Sequence, residues 1–283
     1  MTPRSHAQEG LLCTPVCLVL AAVLAIPIAG CARNDGAPPF PVALSSRAAS
    51  APPARHDELA WVLATLDPRV AAPRLDRPEA HDRLSRVLGV YAAMDPFAHP
   101  ELYPSEDDTL AWLVNAHVAW VVALHNAPAL RDRTALALRD VPFPLAGGQW
   151  TLGRIESEVL ARAPAEPRLA LCLNPGFVGG PPLPATSFEG HALSWQLAEH
   201  AARCGRTPSF WSFDPARRRL EVSEYTAYMP GLPASGMQRA RRLLDLVPPQ
   251  VELRAVALTV CGDALQRCSV ALAPLDTSRW RDN

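Results

Sequence analysis

The amino-acid sequence predicts an α+β fold, with N-terminal helices around one central buried helix, packed with a small antiparallel sheet. Three observations predict it. Apolar residues between 57 and 124 recur every three to four positions, the period of amphipathic helices. After residue 140 the apolar runs shorten and glycine and proline punctuate them, as in strands joined by turns. The length between those limits suits one domain with one core.

Element by element, Leu59, Val62, Leu63 and Leu66 mark a first helix ended by Pro68. Pro78 suits the first turn of a second, which carries Leu84, Val87, Leu88 and Tyr91 on one side. Ser105 with Asp108 three residues later resembles a capping box, so a third helix starts there. Leu110, Leu113, Val114, Val118, Val121 and Leu124 make it apolar almost all round, which places it at the centre. Residues 141–145 and 149–152 flank the turn Gly147-Gly148 and read as a hairpin. Thr151 caps a helix reaching about residue 163. Residues 168–173 read as a buried strand, 174–186 as a glycine- and proline-rich loop, and 188–204 as a helix. Phe210-Trp211-Ser212-Phe213 and Leu220-Glu221-Val222 form a hairpin about Asp214-Pro215-Ala216-Arg217. Residues 237–246 read as helical. Residues 251–260 and 268–275 read as a closing pair of antiparallel strands, so 251–283 forms a C-terminal addition to a domain spanning 56–250.

Before that domain stand two segments of different character. Residues 11–28 are apolar and uncharged and lead into Ile28-Ala29-Gly30-Cys31. A short apolar run closing on small residues is the pattern of a secretory leader, here residues 1–30. With cysteine directly after Ala29-Gly30 it resembles a bacterial lipoprotein signal. That resemblance implies cleavage before Cys31, a diacylglyceryl group on its thiol and an acylated amino group. A retained span and a plain secreted form are the alternatives, and the small pair fused to Cys31 favours cleavage. Residues 31–55 carry Pro38-Pro39, Pro41 and Pro52-Pro53 with few large apolar groups, a tether too poor in burial to offset ordering.

Charge narrows the partners. The chain has 27 Lys+Arg against 28 Asp+Glu, and every one of those cations is arginine. Dispersed arginines at a formal net charge of -1 argue against nucleic acid. The expected partners are membrane lipid, through acylated Cys31, and an envelope protein or small ligand. No cofactor and no metal are expected. Beyond the leader and Cys31 the cysteines are Cys172, Cys204, Cys261 and Cys268. An exported protein is free to oxidise them, and four allow three full pairings. A local Cys261–Cys268 disulfide is expected, brought together by a hairpin, with Cα atoms about 4.4–6.8 Å apart.

The middle of the chain, about residues 110–228, resembles a family of uncharacterised domains catalogued as domain of unknown function 547. The carrying segments are Leu113-Val114-Asn115-Ala116-His117-Val118-Ala119, then Leu152-Gly153-Arg154-Ile155-Glu156-Ser157. Residues 168–183, ending Pro181-Pro182-Leu183, follow in the same order and spacing. The resemblance implies a distantly papain-like fold and thiol chemistry from a cysteine and a histidine. This chain departs from the pattern where that chemistry would reside. The two family cysteines fall on Pro175 and Gly180, the histidine on Ser157, and the second helix asparagine on Val118. Asn115 and Glu156 survive. A thiol enzyme needs a sulfur and a neighbouring base, which proline, glycine and serine do not supply.

Three weaker catalytic candidates remain. Cys172 sits among leucines and reads as a buried structural thiol. Ser157 is a hydroxyl that would need an unaligned histidine as its base. His117 faces apolar company on the third helix and reads as a core histidine. It does not have the i,i+4 spacing to His125 that a helical zinc site uses, though a composite site with His191 or His200 stays open. The expected function is therefore a non-catalytic envelope lipoprotein, a binding or assembly module with a degenerate thiol-enzyme-like site, delivered to the outer membrane where the source has two. Ala32 after Cys31, in place of an aspartate, carries that last expectation. A thiol- or serine-dependent hydrolase with a rearranged site and a purely structural scaffold are the alternatives.

Overall fold

The apolar repeat beginning at Leu59 becomes α1 (Asp57–Thr65), and Pro78 opens α2 (Pro78–Ala93). The computed structural model describes residues 56–66, 73–229, 231–274 and 276–279. The leader, Cys31 and the tether lie outside them. Ser105 caps α3 (Glu106–Asn126) reciprocally: its hydroxyl accepts from the Asp108 N–H, and the Asp108 carboxylate accepts from the Ser105 N–H at 3.1 Å. Sixteen consecutive α3 residues, Thr109 to Leu124, are buried, which makes this helix the axis of the domain. No helix among the described residues is long and apolar enough to cross a membrane.

Thr134 caps a short helix that sequence patterning passes over, α4 (Ala135–Arg139), through the Ala137 N–H at 3.2 Å. β1 (Phe143–Leu145) and β2 (Gly148–Trp150) then form the expected hairpin. It hangs on the end of α2, with Ala146 and Gly147 N–H groups donating to the Tyr91 and Ala92 carbonyls. Phe143 stacks on Trp120 of α3 at 4.3 Å. Thr151 caps α5 (Leu152–Arg162), as expected.

The next element corrects the sequence reading. Residues 167–172 are not a strand but a 3-10 helix, Pro167–Cys172. Pro167 presets its first turn, and the Glu166 carboxylate accepts from the Arg168 N–H and pairs with its guanidinium, closing the turn from outside. Leucines at 169, 171 and 173 suit a buried strand equally well by composition, so the flanking cap decides. β3 (Phe177–Val178) follows within the loop. A 3-10 turn, Gly190–Ala192, leads into α6 (Leu193–Cys204).

The hairpin of β4 (Trp211–Asp214) and β5 (Arg219–Ser223) is present. After α7 (Gly236–Leu246) comes the second correction. Residues 251–260 are not a strand; they belong to α8 (Glu252–Cys261). Their Val, Leu and Ala residues satisfy both periods. Ala257 and Cys261 lie one turn apart on the buried side, and Gly262 at φ +82° stops the helix. The expected C-terminal strand pair is therefore absent. β6 (Ser269–Ala273) pairs with β5, in parallel, and β7 (Asp276–Arg279) pairs with β3. A parallel pair needs a long crossover, and α7 with α8 provides it. The fold is thus α+β, with three small open sheets among the described residues, and the largest of these, ordered β4-β5-β6, is mixed rather than antiparallel.

The Cys261–Cys268 disulfide is present, with Cα atoms 5.1 Å apart. It joins the end of α8 to the start of β6 rather than two strands of a hairpin. Cys172 and Cys204 are free and buried.

Two apolar clusters hold these elements. One gathers α1, α2, α3, α5 and the β1–β2 hairpin; the other gathers β4, β5, α7 and parts of α6 and α8. Chain neighbours divide between them, Leu171 into the second and Cys172 into the first.

Candidate functional site

Asn115 of α3, Glu156 of α5 and Asn174 of the 174–181 loop are buried polar side chains in and around the family-like segments, and each holds backbone or balances a charge. Asn115 is wholly buried in α3. Its Nδ2 donates to the Phe188 carbonyl at 2.8 Å, and the Phe188 N–H donates to its Oδ1 at 2.8 Å. One amide side chain thereby satisfies both backbone groups of a residue 73 positions away, where water has no access.

Glu156 is buried on α5 and joins three elements. Its Oε2 accepts from Arg139 Nε of α4 at 2.6 Å, and its Oε1 faces His117 Nε2 of α3 at 3.4 Å. The Arg139 side chain is 37% exposed, so this carboxylate balances a cation that reaches the surface. His117 is wholly buried and its Nδ1 has no partner. Tyr225 lies within their electrostatic reach. Burial pushes its phenol well above the ordinary range; the Glu156 charge adds to this and Arg139 opposes it. Its hydroxyl donates to the Leu173 carbonyl at 3.2 Å.

The 174–181 loop is organised by Asn174. Its Oδ1 accepts from the N–H groups of Gly176 and Phe177, and its Nδ2 donates to the carbonyls of Phe177 and Pro181. The two positions aligned with the family cysteines are Pro175 and Gly180, which flank this packing. The Pro175 carbonyl faces His125 Nε2 at 3.1 Å. At Gly180 a Cβ would stand 2.4 Å from Asn174 Nδ2, so no side chain fits without displacing the loop's organiser. Phe177 is buried against Tyr225 and Tyr228, with ring centroids 5.4 and 6.1 Å away.

Ser157, where the family histidine falls, is exposed, and its hydroxyl donates to the Gly153 carbonyl at 2.9 Å on its own helix. Cys172 closes its 3-10 helix with the thiol 3.9 Å from the Arg168 carbonyl. Burial, and then the neighbouring Cys204, push that thiol far above the ordinary thiol range. His117 meets neither Ser157 nor Cys172 among the bonds described.

One cysteine–histidine contact does exist, and sequence reasoning missed it. Cys204 Sγ lies 3.6 Å from His200 Nε2, one turn apart on α6. The same Nε2 is 3.1 Å from the Leu171 carbonyl. A carbonyl only accepts, so Nε2 carries the hydrogen, an assignment made from this network, and is no base toward Cys204. Burial pushes the Cys204 thiol up and holds His200 down at about 4, so both are neutral near pH 7. This is the reverse of a thiolate–imidazolium pair. The i,i+4 spacing of His200 and Cys204 was the available signal.

That buried imidazole makes the protein acid-sensitive. His200 titrates lower in the folded chain than in the unfolded one, where the value is 6.5. Below pH 6.5 the unfolded chain binds the extra proton, so stability falls from pH 6.5 down to about 4 and levels off beneath. The single site contributes about 3 kcal/mol over that window. Urea unfolding at pH 7 and pH 4.5 measures it. His56 is likewise held down at about 4 by burial and contributes over the same window, so His200→Gln is expected to shrink the difference without abolishing it, and an equal loss in both proteins contradicts the assignment.

No group of three His, Cys, Asp or Glu among the described residues is arranged to hold a metal ion. No family model, curated protein or solved structure matches this chain. The resemblance to the 547 family therefore stands on the quoted residues alone.

Proposed function

We propose that the chain is a lipid-anchored envelope protein whose domain binds or assembles rather than catalyses, on a frame of the 547 type that has lost its thiol site. One observation carries the non-catalytic half. The buried amides of Asn115 and Asn174 hold backbone and the buried Glu156 carboxylate balances Arg139, and the aligned cysteine positions carry Pro175 and Gly180, neither of which is a nucleophile. Asn115 and Glu156, the two retained polar residues, clamp Phe188 and neutralise Arg139. Gly180 is pressed against Asn174, and Ser157 hydrogen-bonds its own helix. The anchoring half rests on Ala29-Gly30-Cys31 behind an apolar leader. Lipid attachment through Cys31 and outer-membrane delivery belong to the same proposal.

The test is labelling of the folded chain with a fluorophosphonate and, separately, with iodoacetamide, read by peptide mass mapping. The expected result is no adduct on Ser157, Cys172 or Cys204 at pH 7, and full alkylation of both thiols after unfolding. Stoichiometric modification of Ser157 or of either thiol in the folded state would falsify the non-catalytic reading in favour of a hydrolase with a rearranged site.

A further inference from the structure

Among the described residues β4 is an edge strand, paired with β5 on one side and with no strand on the other. Its hydrogen-bond phase follows from one contact. The Ser223 N–H donates to the Phe210 carbonyl at 2.9 Å, and the register pairs Trp211 with Val222 and Ser212 with Glu221. In an antiparallel ladder paired groups alternate. Ser212 and Asp214 therefore direct their backbone groups to β5, and Phe213 directs its N–H and C=O outward. Trp211 directs its C=O outward as well, while its N–H turns back to the Thr207 carbonyl. An N–H and two C=O groups thus stand along one open edge at strand spacing.

A groove of about 580 Å³ runs beside them. Trp211, Ser212 and Phe213 all line it. Successive side chains of a strand point to opposite faces, so a groove touching three in a row meets the strand along its backbone edge. The start of α8 contributes Leu253 and Val256 to its lining. The Trp211 indole N–H is buried and has no acceptor. Arg206 and Glu252, one of each sign, also line the groove, and neither has an ion-pair partner among the described residues.

We propose that this groove takes an extended segment of another polypeptide, added as a strand to the free edge of β4. The outward N–H and C=O of Phe213 would fix its backbone. Alternate apolar side chains would lie against Trp211 and Val256. An acidic residue beside Arg206 and a basic one beside Glu252 complete the match of charge. Strand addition draws affinity from main-chain bonds and specificity from the flanking pockets, and both are present here. The proposal is independent of the anchor and of the fate of the family-like site.

The probe is a fluorescent synthetic heptapeptide, Asp-Val-Thr-Val-Thr-Val-Arg with blocked ends, titrated into the purified full chain. Saturable binding is expected. Methylating alternate backbone nitrogens of the probe, which removes main-chain bonds and keeps every side chain, is expected to weaken it about tenfold or more. Phe213→Pro removes the outward donor at a position where an edge strand tolerates proline, and a similar loss is expected. Arg206→Glu is expected to weaken the probe and to be rescued by a probe with Arg in place of its Asp. No binding, or binding indifferent to methylation and to charge reversal, overturns the proposal. Self-association that Phe213→Pro abolishes also overturns it, because the occupant would then be a second copy of this chain.

Discussion

Asn115→Asp is expected to destabilise the domain by about 3–5 kcal/mol, a large share of the roughly 5–15 kcal/mol available to a folded protein. Asn115 is wholly buried and bonds both the N–H and the C=O of Phe188. The substitution keeps the volume and the acceptor but replaces the donating amide by a carboxylate oxygen facing a carbonyl. Two acceptors then meet without a hydrogen, in a place where a charge has no solvent. The variant has a signature that simple packing loss would not produce. A buried aspartate titrates above its unfolded value, so the folded state gains a proton first as pH falls, and that proton restores a donor to Phe188. The gap between variant and parent, measured by urea unfolding, is expected to narrow between pH 7 and pH 4.5. Asn115→Ala is the control, with a loss of about 2–4 kcal/mol from unsatisfied groups and no pH-dependent recovery. A cost below about 1 kcal/mol for Asp, or a gap constant with pH, contradicts the clamp.

The second large effect is at Glu156. Glu156→Ala removes the carboxylate that accepts from Arg139 at 2.6 Å and faces His117. Breaking a buried pair from one side costs about 3–5 kcal/mol, because the remaining charge is stranded. Arg139 is 37% exposed and has a route to water, so the expected cost is near the lower limit, about 3 kcal/mol. Removing Arg139 as well relieves most of it. A double-mutant cycle between Glu156→Ala and Arg139→Ala is expected to give a coupling of about 1–3 kcal/mol. Additive losses would mean that the contact carries no stability, and Glu156 would then need another reason to be buried.

What sequence reveals and conceals here follows from how local each signal is. The α3 start was readable because Ser105 and Asp108 cap each other within one turn, and its burial followed from apolar residues on every side. The disulfide was readable from spacing, since a tight turn at Gly262 brings Cys261 and Cys268 together whether a helix or a strand precedes it. The same tolerance concealed the element before it. Residues 252–261 fit periods of two and of 3.6, and burial of Ala257 and Cys261 against the second core selected the helix. That choice cost the expected closing strand pair and sent β6 to a parallel seat beside β5. Likewise the leucines of 169–173 did not distinguish a strand from the 3-10 turn that Glu166 and Pro167 impose.

The candidate site shows the same division. Asn115 and Glu156 stood out because a family-like frame surrounds them, yet their partners were not legible. Phe188 is 73 residues from Asn115, and Arg139 sits on a five-residue helix that periodicity passes over. Asn174 and Tyr225 act through backbone groups, and nothing in a residue's type announces which carbonyl it will meet. Only the 2.4 Å approach to Asn174 gives the glycine at 180 a spatial reason.

Attachment of the protein to the envelope by lipid is read from the intact mass of the chain recovered from the membrane fraction, with fragmentation of its first residues. The predicted result is a mature chain that begins at Cys31 and carries a diacylglyceryl thioether and an acyl amide on that residue, both lost together with membrane fractionation in Cys31→Ala. A recovered chain that retains Met1, or an unmodified amino terminus at any other residue, contradicts it.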